Sequence, residues 1–290
     1  MLFKASQRRV MPDLGFLITF IFLALSFDSH AIQSKTKKTT SSSHRLRLES
    51  VDQCQKPLWD AKKAAGKTRG KSPSSTAPGN FFTLYDGKQS IYRGRNPSTS
   101  AHMDFLKKKG VKKILIFKDW KAENERLKLE ERYLDAGFKS ENLSWIAFPW
   151  SNTRNYKKLC LQSLEGLRVL KQTVDDSRRS QGSGNLFLHC TAGEDRTGFL
   201  SGLFRMLKND WSISEAYQKE MCARGYADGN PKKPYPVAEE VQLTLTPLFE
   251  DFARLIKSGD LNWESLDPNV CDDLRAKRGK TTLPRCSDEK

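Results

Sequence analysis

The sequence predicts an α/β domain built on a central, mostly parallel twisted sheet flanked by helices. Three observations predict it. Segments of strand and helix character alternate from residue 81 to residue 256, the pattern of parallel strands joined by helical crossovers. A long stretch, 155–173, places Leu159, Leu164, Leu167 and Leu170 on one helical side, an inward-facing stripe. The run 185–189 (NLFLH) is almost wholly apolar and enters a glycine-containing loop that opens a further helix.

The first predicted strands are 81–85 and 90–93, joined by a turn at Asp86-Gly87, since an Asp-Gly pair between two β-rich runs is a hairpin signal. Ser98 is the predicted N-cap of a helix through Lys109, which Gly110 stops. Residues 111–117 (VKKILIF) make a strand that becomes fully apolar at its end, and 122–136 make a charge-paired helix stopped by Gly137. A strand over 143–148 ends at Pro149. After the 155–173 helix and the 185–189 strand, helices are predicted over 199–208, 213–223 and 237–256, the last interrupted at Pro247. Helices therefore fall on both faces of the sheet, and no internal repeat is visible.

The ends of the chain differ in composition. Lys4, Arg8 and Arg9 precede an uncharged apolar run of 14 residues, 14–27, followed by Ser29-His30-Ala31. A basic start, a short apolar stretch and a small-x-small ending predict a secretory signal peptide over 1–31, because a bilayer span needs roughly 20 apolar residues. Export to the periplasm or the medium is the expectation, with no transmembrane anchor left after cleavage. Residues 32–80 hold eleven basic and three acidic residues and little apolar periodicity. They read as a largely disordered basic arm with a short helix near 51–65. The α/β domain is placed at 81–258 and a polar C-terminal tail at 259–290.

Fifty Lys plus Arg against 34 Asp plus Glu give a net charge of +16. This excludes an acidic solubilising protein and directs attention to anionic partners. The signal segment carries only one net charge and the arm carries eight, so +7 is left on the folded part. Nucleic-acid binding through the arm is an unfavoured alternative, since the arm lacks interleaved aromatic residues and any recognisable module.

Chemistry concentrates in His189-Cys190-Thr191-Ala192-Gly193-Glu194-Asp195-Arg196-Thr197-Gly198. A loop between a buried strand and a helix can turn its peptide N–H groups inward as a nest for an oxyanion, and the helix adds its positive N-terminal end. A thiol at the base of such a nest, Cys190, ionises below its free value and becomes a nucleophile. Arg196 can curl back and hold two phosphoryl oxygens with its planar fork. Thr197 is placed to donate its hydroxyl to the sulfur, and His189 to brace the loop from outside. Thr191, Ala192, Gly193 and Glu194 form the cradle around a bound phosphoryl group.

These residues resemble the H-C-x5-R-T/S-G signature of the protein tyrosine phosphatase superfamily. The resemblance covers roughly 81–252. Within it, 91–97 (IYRGRNP), 110–117, 145–150 (WIAFPW) and 211–221 follow the order seen in compact dual-specificity-like phosphatases. It implies a two-step hydrolysis of a phosphorylated anionic substrate, with a phosphocysteine at Cys190 and no metal or cofactor. It also implies a general acid on the loop 148–154, where Asn152 stands at the expected position, and an amide cannot serve as the acid. Three carboxylates are substitutes: Asp195, which members resembling H-C-x-A-G-K-D-R-T-G use; Glu194, where those relatives carry Lys; and Asp119 after the 111–117 strand. Asp195 is favoured and Asp119 comes next. A phosphate-binding pseudophosphatase is the non-enzymatic alternative.

Lys118, Lys121, Arg154, Lys157, Lys158, Lys232 and Lys233 belong to loops or helix starts able to rim the pocket. Lys118 and Arg154 are expected to bind substrate. Convergence of such groups favours an inositol polyphosphate, as in phytase-like members, over a phosphotyrosine or phosphoserine protein. Trp120 and Trp150 are candidate cleft walls. Of the six cysteines, Cys160 and Cys222 are expected to be buried free thiols within helices. One bridge is expected between the Cys54 segment and the tail that carries Cys271 and Cys286.

Overall fold

The computed structural model describes residues 76–120, 123–151, 153–178 and 184–286. The segments read as a signal peptide and most of the basic arm, together with Cys54, Lys121 and Asn152, lie outside the described residues. Strands β1 (Phe82–Tyr85) and β2 (Ile91–Gly94) pair antiparallel. Beyond them every pairing is parallel: β2 with β5 (Asn185–His189), β5 with β3 (Val111–Phe117), and β3 with β4 (Leu143–Ile146). The sheet order is β1-β2-β5-β3-β4. The register sets Gly94 and Ile116 beside His189, and Ile146 beside Phe117. The carboxyl ends of four strands thus meet at one edge, where open α/β sheets place their sites.

Alternation along the strands divides the core in two. Leu115, Phe117, Leu186 and Leu188 face one way, onto α3 (Tyr156–Arg178), α4 (Asp195–Asn209) and α7 (Thr246–Ser258). Ile114, Ile116 and Phe187 face the other way, onto α1 (Ser100–Lys108) and α2 (Glu123–Asp135) through Met103, Leu106, Leu129 and Tyr133. The predicted α/β architecture is the observed one. Two helices depart from their expected form. The predicted 213–223 helix is a short α5 (Ile213–Glu215) that runs through a π-helical turn, Ala216–Met221, and a 3-10 turn, Cys222–Arg224. The 237–256 helix begins earlier as α6 (Tyr235–Glu240) and reaches α7 through a second π-turn, Val241–Leu245. Pro247 lies in the first turn of α7, directly after that π-turn. The α1 cap is Thr99 rather than Ser98: its hydroxyl accepts the His102 N–H at 3.2 Å.

The cysteine expectations are corrected. Cys160 on α3 is bonded to Cys271, and Cys222 to Cys286; Cys190 is the free cysteine among the described residues. Helical spacing marks a buried cysteine but does not distinguish a thiol from a half-cystine. The polar composition of the tail hid its anchoring. Leu261, Trp263, Leu266, Val270 and Cys271 are all buried, and Cys286 N–H donates to the Asp228 carbonyl at 3.1 Å. The segment after Ser258 is therefore packed onto the α/β core. Among the described residues no helix is long and apolar enough to cross a membrane.

Closing a loop of 111 residues removes much denatured-state freedom, so losing the Cys160–Cys271 bridge is expected to cost about 2–5 kcal/mol. Peptide mapping without reductant should recover the Cys160–Cys271 and Cys222–Cys286 pairs. Cys271→Ser should lower the denaturation midpoint by a corresponding amount.

Candidate active site

Strand β5 delivers Cys190 to the carboxyl edge of the sheet, and the chain turns through 191–194 into α4. The turn is made at Gly193, whose φ is +72°. A Cβ there would lie 2.3 Å from the backbone of Gly94, so the loop rests directly on the end of β2. The signature's other glycine, Gly198, has no such need, because a Cβ there meets nothing nearer than 3.8 Å.

The loop's carbonyls are bound from outside. Cys190 O faces His189 Nδ1 at 2.7 Å, and Thr191 O accepts the Asn96 N–H at 3.2 Å. Gly193 O accepts from Arg93 Nη2 at 2.7 Å and from Asn80 Nδ2 at 2.6 Å. No peptide bond among the described residues is cis. A trans peptide sends its N–H opposite to its C=O, so the N–H groups of Thr191, Ala192 and Glu194 are turned to the inner side of the loop. Inward amides of this kind are what an oxyanion nest requires.

Arg93 is the main brace, and sequence reading missed it. Its side chain is wholly buried. Nη1 donates to the Glu220 carboxylate at 2.7 Å and to the Glu220 carbonyl at 3.1 Å. Glu220 also pairs with Arg205 at 3.1 Å and Arg224 at 3.4 Å. The available signal was a charged residue in a short strand pairing with the catalytic one.

Cys190 is buried. Burial pushes its thiol up, but the Arg196 charge and the neighbouring Thr197 hydroxyl and N–H prevail and leave it below its ordinary value. Thr197 Oγ1 is buried and makes no hydrogen bond of normal geometry. Arg196 folds back from the first turn of α4 and donates to Thr191 Oγ1 at 3.1 Å. His189 is drawn down to about 4, chiefly by burial, so it is neutral. A carbonyl can only accept, so Nδ1 carries the proton toward Cys190 O, and Nε2 accepts from the Tyr133 hydroxyl at 2.6 Å. His189 supports the loop rather than exchanging protons.

The remaining candidates separate. Asp195 accepts the Ala227 N–H at 2.8 Å, and burial raises its carboxyl to about 6 against that hydrogen bond. Asp119 Oδ1 accepts the next N–H of its own chain, from Trp120, at 3.0 Å. Glu194 forms an ion pair with Lys233. Lys118 is lowered by burial, and both Arg196 and Cys190 act on it; its Nζ lies 4.7 Å from the Trp120 ring centre. Burial lowers Lys233 too, with Cys190 opposing. Arg154 instead lines a cleft of about 790 Å³ with Lys157, Cys271 and Asp272, which includes none of the loop residues. Lys157 there pairs with Asp272, and Lys158 and Lys232 are exposed. Trp120 packs against Trp145 at 5.4 Å, and Trp150 packs partly buried against the core. Among the described residues no group of three His, Cys, Asp or Glu is placed to hold a metal ion.

No family model and no curated protein matches the chain. Among solved structures it is similar to the core catalytic domain of the PP-IP phosphatase SIW14 from S. cerevisiae in complex with citrate, at 21% identity over 66% of this chain and 98% of that chain, TM-score 0.39. It is also similar to P. aeruginosa TpbA, at 16% identity over 60% of this chain and 91% of that chain, TM-score 0.35. For human DUSP28 the figures are 13%, 64% and 98%, with a TM-score of 0.37.

The two signature glycines should respond oppositely to a methyl group. Gly193→Ala forces a left-handed alanine, at about 1–2 kcal/mol, and drives its Cβ into the Gly94 backbone. Its melting temperature should fall. Gly198→Ala should hold or raise the melting temperature, since alanine gains about 0.8–1.0 kcal/mol over glycine within a helix.

Proposed function

We propose that the protein hydrolyses phosphate monoesters through a phosphocysteine at Cys190. The observation that carries this reading is the buried thiol held below its ordinary pKa at the floor of a loop whose amides face inward. The Cys190 thiolate attacks phosphorus, the bond from phosphorus to the ester oxygen breaks, and that oxygen takes a proton from Asp195. Water then attacks phosphorus, Asp195 takes back a proton, and the sulfur–phosphorus bond breaks to return the thiolate. Arg196 and the loop N–H groups hold the equatorial oxygens as charge develops. Thr197 donates to the sulfur when it leaves.

Asp195 suits the acid role. A carboxyl raised to about 6 keeps a protonated fraction near neutral pH, as an acid–base catalyst requires. Asp119, hydrogen-bonded to its own chain, offers less. The substrate we propose is an inositol polyphosphate, with a phosphotyrosine or phosphoserine protein as the second choice. The half-buried Lys118 and Lys233, both acted on by Cys190, support a substrate with several negative charges. Export through the 1–31 segment is part of the proposal, and the two disulfides support an oxidising compartment.

Purified protein should release phosphate from para-nitrophenyl phosphate and from inositol hexakisphosphate, and Cys190→Ser should abolish both. A folded wild type inert toward both would refute the reading. The donor form of Asp195 declines as pH rises through about 6, so kcat/KM should fall on the alkaline side of that value. Asp195→Asn should erase this limb and lower kcat by roughly 10²–10⁴-fold. A limb that survives would move the acid elsewhere.

A further inference from the structure

The Glu194 carboxylate and the Lys233 ammonium take no part in the hydrolysis itself, yet Glu194 opens the helix that follows the nest and Lys233 pairs with it. Glu194 is the N-cap residue of α4, two positions before Arg196. Its carboxylate lies against Gly225, where an added Cβ would be 3.1 Å from Oε1, and pairs with Lys233 Nζ. The Lys233 side chain is 14% exposed, against 26% for Glu194.

The backbone that carries Lys233 is fixed. Asn230 N–H donates to Ala227 O, Lys233 N–H donates to Asn230 O, and Lys232 N–H donates to Asn230 Oδ1, each at 3.0 Å. Ala227 is tied to Asp195 and Asp228 to Cys286. This turn is therefore joined both to the loop and to the disulfide-anchored tail. An ammonium held this way needs little further ordering when it meets a ligand.

We propose that Lys233 is a specificity residue that leaves Glu194 for a second phosphate group of the substrate, next to the phosphate being hydrolysed. The proposal rests on the phosphatase reading and assigns its preference among substrates. The scissile phosphoryl group already has the Arg196 fork and the inward N–H groups. Lys233 enters from the opposite element, the 225–234 turn, and is a compact point charge suited to phosphate. A phosphomonoester carries about −1.5 to −2 at neutral pH against −1 for a carboxylate, so the exchange favours the substrate. Without a second phosphate the lysine stays with Glu194, and the loop carries no uncompensated carboxylate there. Glu194 thereby sets a threshold: it holds the lysine until a stronger anion arrives.

The test compares kcat/KM for inositol hexakisphosphate and para-nitrophenyl phosphate in four forms of the full chain. These are wild type, Lys233→Met, Glu194→Gln and the double variant. Lys233→Met should lower the ratio of the two values by about tenfold or more, the scale of one charged hydrogen bond, mainly through KM for the inositol substrate. Glu194→Gln should raise the ratio several-fold, and most of that gain should vanish in the double variant, because the two residues act as a pair. Equal losses on both substrates in Lys233→Met would overturn the proposal and leave the phosphatase reading intact. So would a Glu194→Gln gain that persists in the double variant. An equal dependence on Lys233 with an acidic phosphotyrosine peptide would overturn it in favour of peptide recognition. A folded wild type inert on every substrate would remove the underlying reading itself.

Discussion

Arg93 is buried in the sheet with its guanidinium shared between Glu220 and the Gly193 carbonyl, and the shape of the catalytic loop depends on that bond. A loop of five or six residues has several ways to arrange its peptide planes. Here a charged donor inside the protein takes one carbonyl, and Asn80 takes the same one. Asn96 and His189 hold two others. Burial pulls the Arg93 guanidinium down from its ordinary value, and the neighbouring Glu220 opposes that fall. Removing Glu220 would strand the buried Arg93 charge, at about 3–5 kcal/mol, whereas without Arg93 the carboxylate keeps Arg205 and Arg224. The pair earns its place through geometry: it fastens β2 and the π-turn of 216–221 to the loop and leaves the inner amides for an anion.

The electrostatics of the site follow from that arrangement. Cys190 lies where burial alone would keep it a neutral thiol, and Arg196 with Thr197 reverse the balance. His189, one residue away, is neutral because it is enclosed and bonded at both nitrogens. Asp195, next to Arg196, stays protonable because burial outweighs its hydrogen bond from Ala227 and the Arg196 charge. Three consecutive kinds of titratable group therefore reach different states within seven residues of chain, through differences in burial and hydrogen bonding. The excess positive charge of the whole chain contributes little to this. Local cations, Arg93, Arg196, Lys118 and Lys233, are the ones that interact with Cys190.

Much of the fold was legible because its signals are local. Alternating and apolar runs marked β1 to β5, and the leucines of α3 and the glycine stops after α1 and α2 marked the helices. The loop was legible because its residues are contiguous. What stayed hidden depends on contacts distant in sequence. Arg93 and Glu220 are 127 residues apart, and nothing in IYRG shows that its arginine turns inward. Cys160 and Cys271 are 111 residues apart, and the tail's polar composition concealed a spaced set of apolar anchors. Arg154 was assigned to the substrate rim from its place on a loop, and in the fold it lines a cleft with Lys157, Cys271 and Asp272.

Because the account turns on a loop built to hold a thiolate, the most direct measurement is the ionisation of Cys190 itself. Its thiolate absorbance or its alkylation rate can be followed against pH in the wild type and in Arg93→Lys, where the buried charge remains but the fork does not. The wild-type midpoint should lie below the roughly 8.5 of a free cysteine, and Arg93→Lys should shift it upward as Gly193 loses its brace. A wild-type midpoint at or above the free-cysteine value would contradict the account.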